Sequence, residues 1–139
     1  MTVGIIGAGH IGGKIARTIA ETDGVDILAV GSRSFGKAES FAREFSVPRA
    51  YGSYSELLDD PDIDLVYVAT PHSHHFDVTM EAIRKGKACL VEKAFMANAA
   101  QTRAVLDLAR EKKVFVGERY GPVTSLPGIL SADLSTTEG

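Results

Sequence analysis

Three glycines near the N-terminus have a spacing that suits a bound phosphate. Gly7, Gly9 and Gly12 form a G-x-G-x-x-G pattern, with His10 and Ile11 between the last two, after an apolar run and before a helical pattern. In this context the first glycine permits a tight turn, the second lets the backbone approach a pyrophosphate, and the third allows close packing of helix on strand. The free N–H groups of the helix start also attract a phosphate. We predict that these residues bind a dinucleotide; a turn that merely joins two elements is the alternative.

The end of the second apolar run indicates which dinucleotide. An Asp or Glu about 20 residues beyond the glycines binds the 2′-hydroxyl of NAD, whereas an Arg accommodates the 2′-phosphate of NADP. Here the chain has no carboxylate but Ser32, Arg33 and Ser34, with Lys37 one turn further on. Hydroxyl groups can bind phosphate oxygens, and a guanidinium can bind two of them at once. We predict NADP rather than NAD; the alternative is a solvated arginine between two helix-capping serines.

A histidine-rich segment, TPHSHH, follows the fourth apolar run and contains His72, His74 and His75. In open α/β sheets, ligands bind beyond the carboxyl ends of the strands, where this segment is expected to lie. A metal site is disfavoured because no Cys or carboxylate stands at ligand spacing within the segment. We predict that His72 and His75 bind nicotinamide, ribose or substrate, with His74 on the solvent side. Histidines that cap a helix and face water are the alternative.

Glu92 and Lys93 follow the fifth apolar run, again where a strand passes into a loop at the ligand edge. A lysine beside a nicotinamide ring could donate a proton to a substrate hydroxyl or hold that hydroxyl. Burial lowers the pKa of a lysine towards working pH, as general acid–base chemistry requires. Glu92 could hold the lysine or a ribose. An ordinary Glu–Lys pair in a solvated loop is the alternative.

Apolar runs alternate with helical patterns as far as about residue 118. Such alternation with short links predicts a Rossmann-type α/β domain, a doubly wound parallel sheet in a three-layer αβα arrangement, over residues 1–118. Ser34 or Ser32, Ser53 and Asn98 are candidate helix caps. Residues 119–139 contain no long periodic segment and are predicted to form an irregular tail. The expected strands are 2–6, 25–31, 49–51, 65–69, 88–91 and 114–117, and the expected helices follow Gly12 and span 37–45, 54–58, 73–85 and 99–111.

The composition indicates an ordinary globular domain. The chain has 139 residues, 45% of them hydrophobic, and a formal net charge of −3. That charge, with no run of Lys or Arg, argues against a nucleic-acid partner, and no apolar run is long enough to cross a membrane. The N-terminus enters the first predicted strand directly, so we expect no signal peptide and a cytoplasmic location. Cys89 is expected to be a buried, reduced thiol.

Three segments taken together resemble the glucose–fructose oxidoreductase, inositol dehydrogenase and rhizopine-catabolism (Gfo/Idh/MocA) family. They are GIIGAGHIG at 4–12, AYGSYSELLDDPDIDLVYVATPHSHH at 50–75 and GKACLVEKAF at 86–95. Their order is more specific than a glycine motif, and the resemblance covers about residues 1–118. EKAF followed by Asn98 and Ala99 is most similar to the branch of dihydrodiol dehydrogenase and NADP-linked sugar dehydrogenases.

The resemblance implies roles for five residues. Thr70, Pro71 and His75 match the family's T-P-x-x-x-H at the nicotinamide end of the cofactor. Glu92 and Lys93 match its E-K-P, in which the lysine is catalytic. The family therefore implies hydride transfer between the cofactor and a carbon that carries a hydroxyl group.

Two departures from the family pattern bear on activity. Ala94 stands where the family usually has Pro, so the turn that presents Lys93 is less rigid than the pattern implies. Family members also continue into a second domain that supplies the substrate pocket and further catalytic side chains, and no part of these 139 residues corresponds to it. We therefore expect the isolated chain to bind cofactor with little or no turnover, and its uncovered apolar surface to favour homo-oligomers.

The leading hypothesis is an NADP-dependent oxidoreductase that acts on a sugar or a cyclic diol. In this hypothesis Lys93 acts as the acid or base, with His75 positioning the substrate. The competing hypothesis is a non-catalytic nucleotide-binding module, either a sensor or one part of an assembly. A methyltransferase is a weaker third option, since it usually needs an acidic residue at the position of Ser32 and Arg33.

Overall fold

The computed structural model describes residues 1–91, 96 and 98–118. The predicted tail at 119–139 lies outside these residues, as do Glu92, Lys93 and Ala94. Within the described part, strands and helices alternate along the chain from residue 2 onwards.

Among the described residues, six strands form one sheet in which every neighbouring pair is parallel. They are Thr2–Ile6 (β1), Asp26–Gly31 (β2), Arg49–Tyr51 (β3), Leu65–Val68 (β4), Ala88–Val91 (β5) and Val116–Glu118 (β6). Their order is β3-β2-β1-β4-β5-β6, which confirms the predicted doubly wound sheet. Since the strand order reverses between β1 and β4, the carboxyl ends there form the crevice in which such sheets bind ligands. Ile6 is in register with both Gly31 and Val68, so β1, β2 and β4 end at the same level.

In the part of the chain that the structure describes, five α-helices connect the strands. They are His10–Ala20 (α1), Phe35–Phe45 (α2), Tyr54–Leu58 (α3), His75–Arg84 (α4) and Ala99–Lys112 (α5), with a 3₁₀ turn at His72–His74 before α4. Ser34, Ser53 and Asn98 each accept a hydrogen bond from the backbone N–H three residues ahead. These three bonds confirm the predicted capping residues, although α2 begins at Phe35, two residues before its predicted start.

Several boundaries differ from the sequence prediction by one or two residues, and two of these differences have a clear local reason. Helix α1 begins at His10, inside the glycine pattern, and not after Gly12. Strand β6 begins two residues later than expected because Lys113 adopts a left-handed conformation (φ 58°) and the Val114 N–H donates to the Ala109 carbonyl. Residues 113 and 114 therefore close α5 and do not extend the strand.

The core has two halves, one on each face of the sheet, as β4 illustrates. Leu65 and Tyr67 pack on the side of α1 and α2, whereas Val66 and Val68 pack on the side of α3, α4 and α5. This burial on both faces explains why β4 is a continuous apolar run. Cys89 on β5 is fully buried as expected, and burial raises the pKa of its thiol to about 12, so the thiol stays protonated.

A buried carboxylate joins β3 to the loop before β4. Oδ2 of Asp60 accepts from Nη1 of Arg49 at 2.6 Å and from the Tyr51 hydroxyl at 2.8 Å, and its Oδ1 accepts from the Asp62 N–H at 3.0 Å. Burial acts to raise the pKa of Asp60, but these hydrogen bonds outweigh it and hold that pKa below its ordinary value. Nζ of Lys87 donates to the Asp60 carbonyl and so ties the same loop to the start of β5.

Candidate dinucleotide-binding site

The three glycines of the loop after β1 meet different surroundings. Gly7 has φ of +111°, and a Cβ there would lie 2.6 Å from the carbonyl oxygen of Ala69. A Cβ on Gly12 would overlap the carbonyl oxygen of Gly7. A Cβ on Gly9, in contrast, would meet nothing within 4 Å. The protein itself therefore requires glycine at positions 7 and 12, while position 9 faces open space.

The start of α1 offers free hydrogen-bond donors to that space. Gly9 is the N-cap and supplies no side-chain cap, and the first turn contains no acidic residue. The N–H groups of a helix start have no partners within the helix, and the positive end of its dipole adds to their attraction for an anion. His10 and Ile11 in this first turn are exposed and line the open space. The arrangement fits a pyrophosphate.

The end of β2 carries two serines with different local partners. Ser32 is 8% exposed, and its Oγ accepts from the Ser34 N–H at 3.2 Å. The Oγ of Ser34 accepts from the Lys37 N–H at 3.4 Å as the cap of α2. Capping uses only the oxygen of each group, so both hydroxyl protons remain available to a phosphate oxygen. Arg33 and Lys37 beside them are exposed.

The end of β4 differs from the prediction for its histidines. His75 lies on the buried stripe of α4 and is 2% exposed, and its Nε2 lies 3.0 Å from the carbonyl oxygen of Thr70. His74 is half-buried and lines the space above the sheet. The prediction that His74 lies on the solvent side is therefore wrong, and His75 reaches the site through Thr70. The cause is the 3₁₀ turn at His72–His74, because it delays the start of α4 and so decides which residue falls on the buried face of that helix. For His72 the structure describes only the backbone.

A cavity of about 1040 Å³ is lined by residues that follow the ends of several strands. It extends from the glycine loop across the end of β2 to the end of β4, where Thr70 contributes a buried hydroxyl with no hydrogen-bond partner among the described residues. The predicted residues that line it are Gly7, Gly9, His10, Ile11, Ser32, Arg33, Ser34, Lys37, Thr70 and Pro71. Gly12 and His75 do not line this cavity, but each lies against a residue that does: Gly12 against Gly7, and His75 against Thr70. Its size and its polar edge suit an extended nucleotide.

A second cavity of about 540 Å³ adjoins the first and shares Arg33, Tyr54 and His74 with it. Tyr54 was not among the predicted site residues, although it follows the end of β3 and the strand-end rule could have identified it. Burial raises the pKa of Tyr54, whereas the nearby charge of Arg33 acts to lower it. Tyr54 is therefore protonated at neutral pH and can donate a hydrogen bond.

Glu92 and Lys93 lie outside the described residues, so their predicted roles stay predictions. Val91, the last residue of β5, is in register with Val68 of β4, so the chain leaves β5 at the same edge of the sheet as the cavity. Among the residues that the structure describes, no group of three or more His, Cys, Asp or Glu side chains could hold a metal ion. None of the described helices combines the length and the apolar character needed to cross a membrane.

Comparison with known proteins identifies sequence relatives of this chain. D-xylose 1-dehydrogenase (NADP(+)) from Hypocrea jecorina is 48% identical over 107 residues, which cover 71% of this chain and 27% of that protein. Trans-1,2-dihydrobenzene-1,2-diol dehydrogenase from Xenopus tropicalis is 39% identical over 119 residues, which cover 84% of this chain and 36% of that protein. The chain thus spans about a third of the length of these curated relatives.

Solved structures share the fold. An NAD binding oxidoreductase from Klebsiella pneumoniae superposes with a TM-score of 0.83 and 26% identity, over 95% of this chain and 39% of that one. The 3-ketoreductase KijD10 from Actinomadura kijaniata, solved with NADP, superposes with a TM-score of 0.81 and 28% identity, over 85% of this chain and 38% of that one.

The family assignment rests on most of the chain. Residues 1–120 match the oxidoreductase family with an NAD-binding Rossmann fold. The two sequence relatives fall in the dihydrodiol dehydrogenase-like branch that the resemblance indicated. The chain therefore belongs to the glucose–fructose oxidoreductase, inositol dehydrogenase and rhizopine-catabolism family of NAD(P)-binding oxidoreductases.

Proposed function

We propose that this chain is the cofactor-binding part of an NADP-dependent oxidoreductase that acts on the CH–OH group of a sugar or a cyclic diol. The observation that carries the proposal is the single cavity that joins the glycine loop to Ser32, Arg33 and Ser34. The names of the relatives support it, since one is an NADP-linked xylose dehydrogenase and the other a dihydrodiol dehydrogenase.

The preference for NADP follows from charge at the end of β2. Arg33 and Lys37 bring two positive charges, and the hydroxyls of Ser32 and Ser34 can donate to phosphate oxygens. No carboxylate stands between β2 and α2. This segment therefore has neither the Asp or Glu that usually binds the ribose of NAD nor a negative charge that would repel a 2′-phosphate. Glu44, which also lines the cavity, lies further along α2, where its Oε2 is 3.8 Å from Nη2 of Arg17.

The chemistry requires one hydride and one proton to leave the substrate. NADP, when bound, supplies the hydride acceptor. The hydroxyl proton needs a base, and we assign that role to Lys93, with Glu92 holding the lysine or a ribose. His75 acts as a positioning residue, because it binds the Thr70 carbonyl and not the cavity. Thr70 and Pro71, which line the cavity at the end of β4, would hold the nicotinamide half of the cofactor.

Calorimetric titration of the chain with NADP and with NAD tests the proposal. We expect binding of both, with the lower Kd for NADP. Failure to bind either nucleotide would end the proposal for this site. A Kd for NAD equal to or below that for NADP would remove the proposed role of the β2 end.

The competing function is a non-catalytic nucleotide-binding module, for which the cavity between the glycine loop and the end of β2 would be sufficient. Both functions predict cofactor binding, so turnover discriminates between them. We expect little or no NADPH formation with sugars and diols from these 139 residues, and measurable formation when the chain is joined to a substrate domain of the family. A homo-oligomeric state and a cytoplasmic location stay predictions.

A further inference from the structure

Arg33 and His74 meet at the boundary between the two cavities. Nη1 of Arg33 lies 3.4 Å from Nε2 of His74, a long hydrogen bond between residues 41 positions apart. We propose that His74 is a positioning residue that holds Arg33 towards the larger cavity and thereby sets the preference for NADP over NAD. This inference rests on the proposed function, because it acts on the phosphate-binding role of Arg33.

The direction of the hydrogen bond follows from the chemistry of the two groups. A guanidinium has only donors, so Nε2 of His74 must be the acceptor. The ring is then neutral and carries its proton on Nδ1, which is buried and has no hydrogen-bond partner among the described residues. A side chain that offers an acceptor at the position of Nε2 can therefore replace His74, whereas one without such an acceptor cannot.

Arg33 needs such a partner because the smaller cavity offers it an alternative. Asp77 and Glu81 line that cavity, which Arg33 also borders. Glu81 already accepts from the Ser55 hydroxyl at 2.6 Å and pairs with Lys85 at 3.1 Å. A long, flexible arginine without a fixed partner is attracted towards these carboxylates, and the fraction of time that it faces a 2′-phosphate falls.

A double-mutant cycle with calorimetric titration of NADP and NAD tests the inference. We expect His74→Ala to raise the Kd for NADP about three- to tenfold, the range of a single hydrogen bond, and to leave the Kd for NAD within about twofold. His74→Gln should restore the wild-type ratio of the two constants, since its amide oxygen can take the place of Nε2. In an Arg33→Ala background, His74→Ala should have no further effect on that ratio, because His74 acts through Arg33.

His74→Asn keeps the inference testable if the alanine variant does not fold. Asparagine sets its polar group at the position of Nδ1, so it should lose the NADP preference as alanine does. The inference is overturned if the alanine or the asparagine variant binds both nucleotides more weakly by the same factor. It is also overturned if His74→Ala raises the Kd for NADP by as much in the Arg33→Ala background as in the wild type. If Arg33→Ala leaves the preference for NADP unchanged, both this inference and the proposed role of Arg33 are overturned. When only the His74 variants depart from expectation, the proposed function stands and this inference alone fails.

Discussion

Nε2 of His75 donates a hydrogen bond to the carbonyl oxygen of Thr70, 3.0 Å away. The donor is the ring because a carbonyl oxygen can only accept. The bond joins the first residue of α4 to the segment that leaves β4, and it fixes Thr70 at the cavity wall. His75 thus contributes to the site from within the protein.

Replacement of His75 by alanine should reduce both stability and cofactor binding. We expect the free energy of unfolding in urea to fall by about 1–3 kcal/mol, because a buried acceptor loses its donor. The Kd for NADP should rise as the Thr70 segment loosens. His75→Gln is the matched control, since its amide N–H can still donate to the carbonyl, and it should lie close to the wild type. A glutamine variant as damaged as the alanine variant would contradict this role of the hydrogen bond.

Alanine substitutions in the glycine loop should separate binding from folding. Gly9 has φ of −97° in the extended region and open space around its Cβ position, so Gly9→Ala should cost less than about 1 kcal/mol of stability. The added methyl group would occupy the approach to the helix start, so the Kd for NADP should rise at least tenfold. Gly12→Ala should instead destabilise the fold by about 1–3 kcal/mol, because its Cβ would overlap the Gly7 carbonyl.

Urea unfolding and calorimetry on both variants check this separation. A Gly9→Ala protein that binds NADP as tightly as the wild type would show that the nucleotide does not approach the loop there. A Gly12→Ala protein of unchanged stability would show that α1 can move away from β1 at little cost.

The buried Asp60 should make stability sensitive to acid. Its pKa in the folded protein lies below its ordinary value, so its stabilising contribution is present above about pH 4 and is lost as the pH falls through the folded pKa. Asp60→Asn should cost about 1–3 kcal/mol at pH 7 and should flatten the dependence of the unfolding free energy on pH below about 4.

Urea titrations between pH 7 and pH 3 measure this effect. Asp62→Asn is the control, because Asp62 also pairs with Arg49 but its side chain is 61% exposed. That variant should keep nearly the wild-type pH dependence. Equal flattening by both substitutions would place the acid sensitivity elsewhere.

The sheet could be predicted from the sequence because its signals are local. Each inner strand is a continuous apolar run, and Ser34, Ser53 and Asn98 mark helix starts by side-chain chemistry that acts over three residues. The strand-end rule then correctly brought the glycine loop, Ser32 and Thr70 to one cavity. Contacts between residues distant in the sequence, such as Arg49 with Asp60, could not be predicted in this way.

The histidine segment shows why the detailed site could not be predicted. In the sequence His74 and His75 are equivalent neighbours, and only the 3₁₀ turn decides which of them joins the buried stripe of α4. The partner of His74 is Arg33, which lies 41 positions away, so no spacing within the segment could reveal it. The position of each histidine relative to the buried face of α4, and not its residue type, determines whether it lines the cavity.

The most direct test of the account compares two arginines of the same region. Arg33 borders the cavity, whereas Arg43 lies on the outer face of α2, 76% exposed and paired with Glu39. Calorimetric titration of Arg33→Ala should show a Kd for NADP raised about 10- to 100-fold, as for a lost charged hydrogen bond, with the Kd for NAD changed less than about twofold. Arg43→Ala should bind both nucleotides as the wild type does. An equal loss of NADP and NAD binding in Arg33→Ala, or no loss at all, would contradict the assignment of this site to NADP.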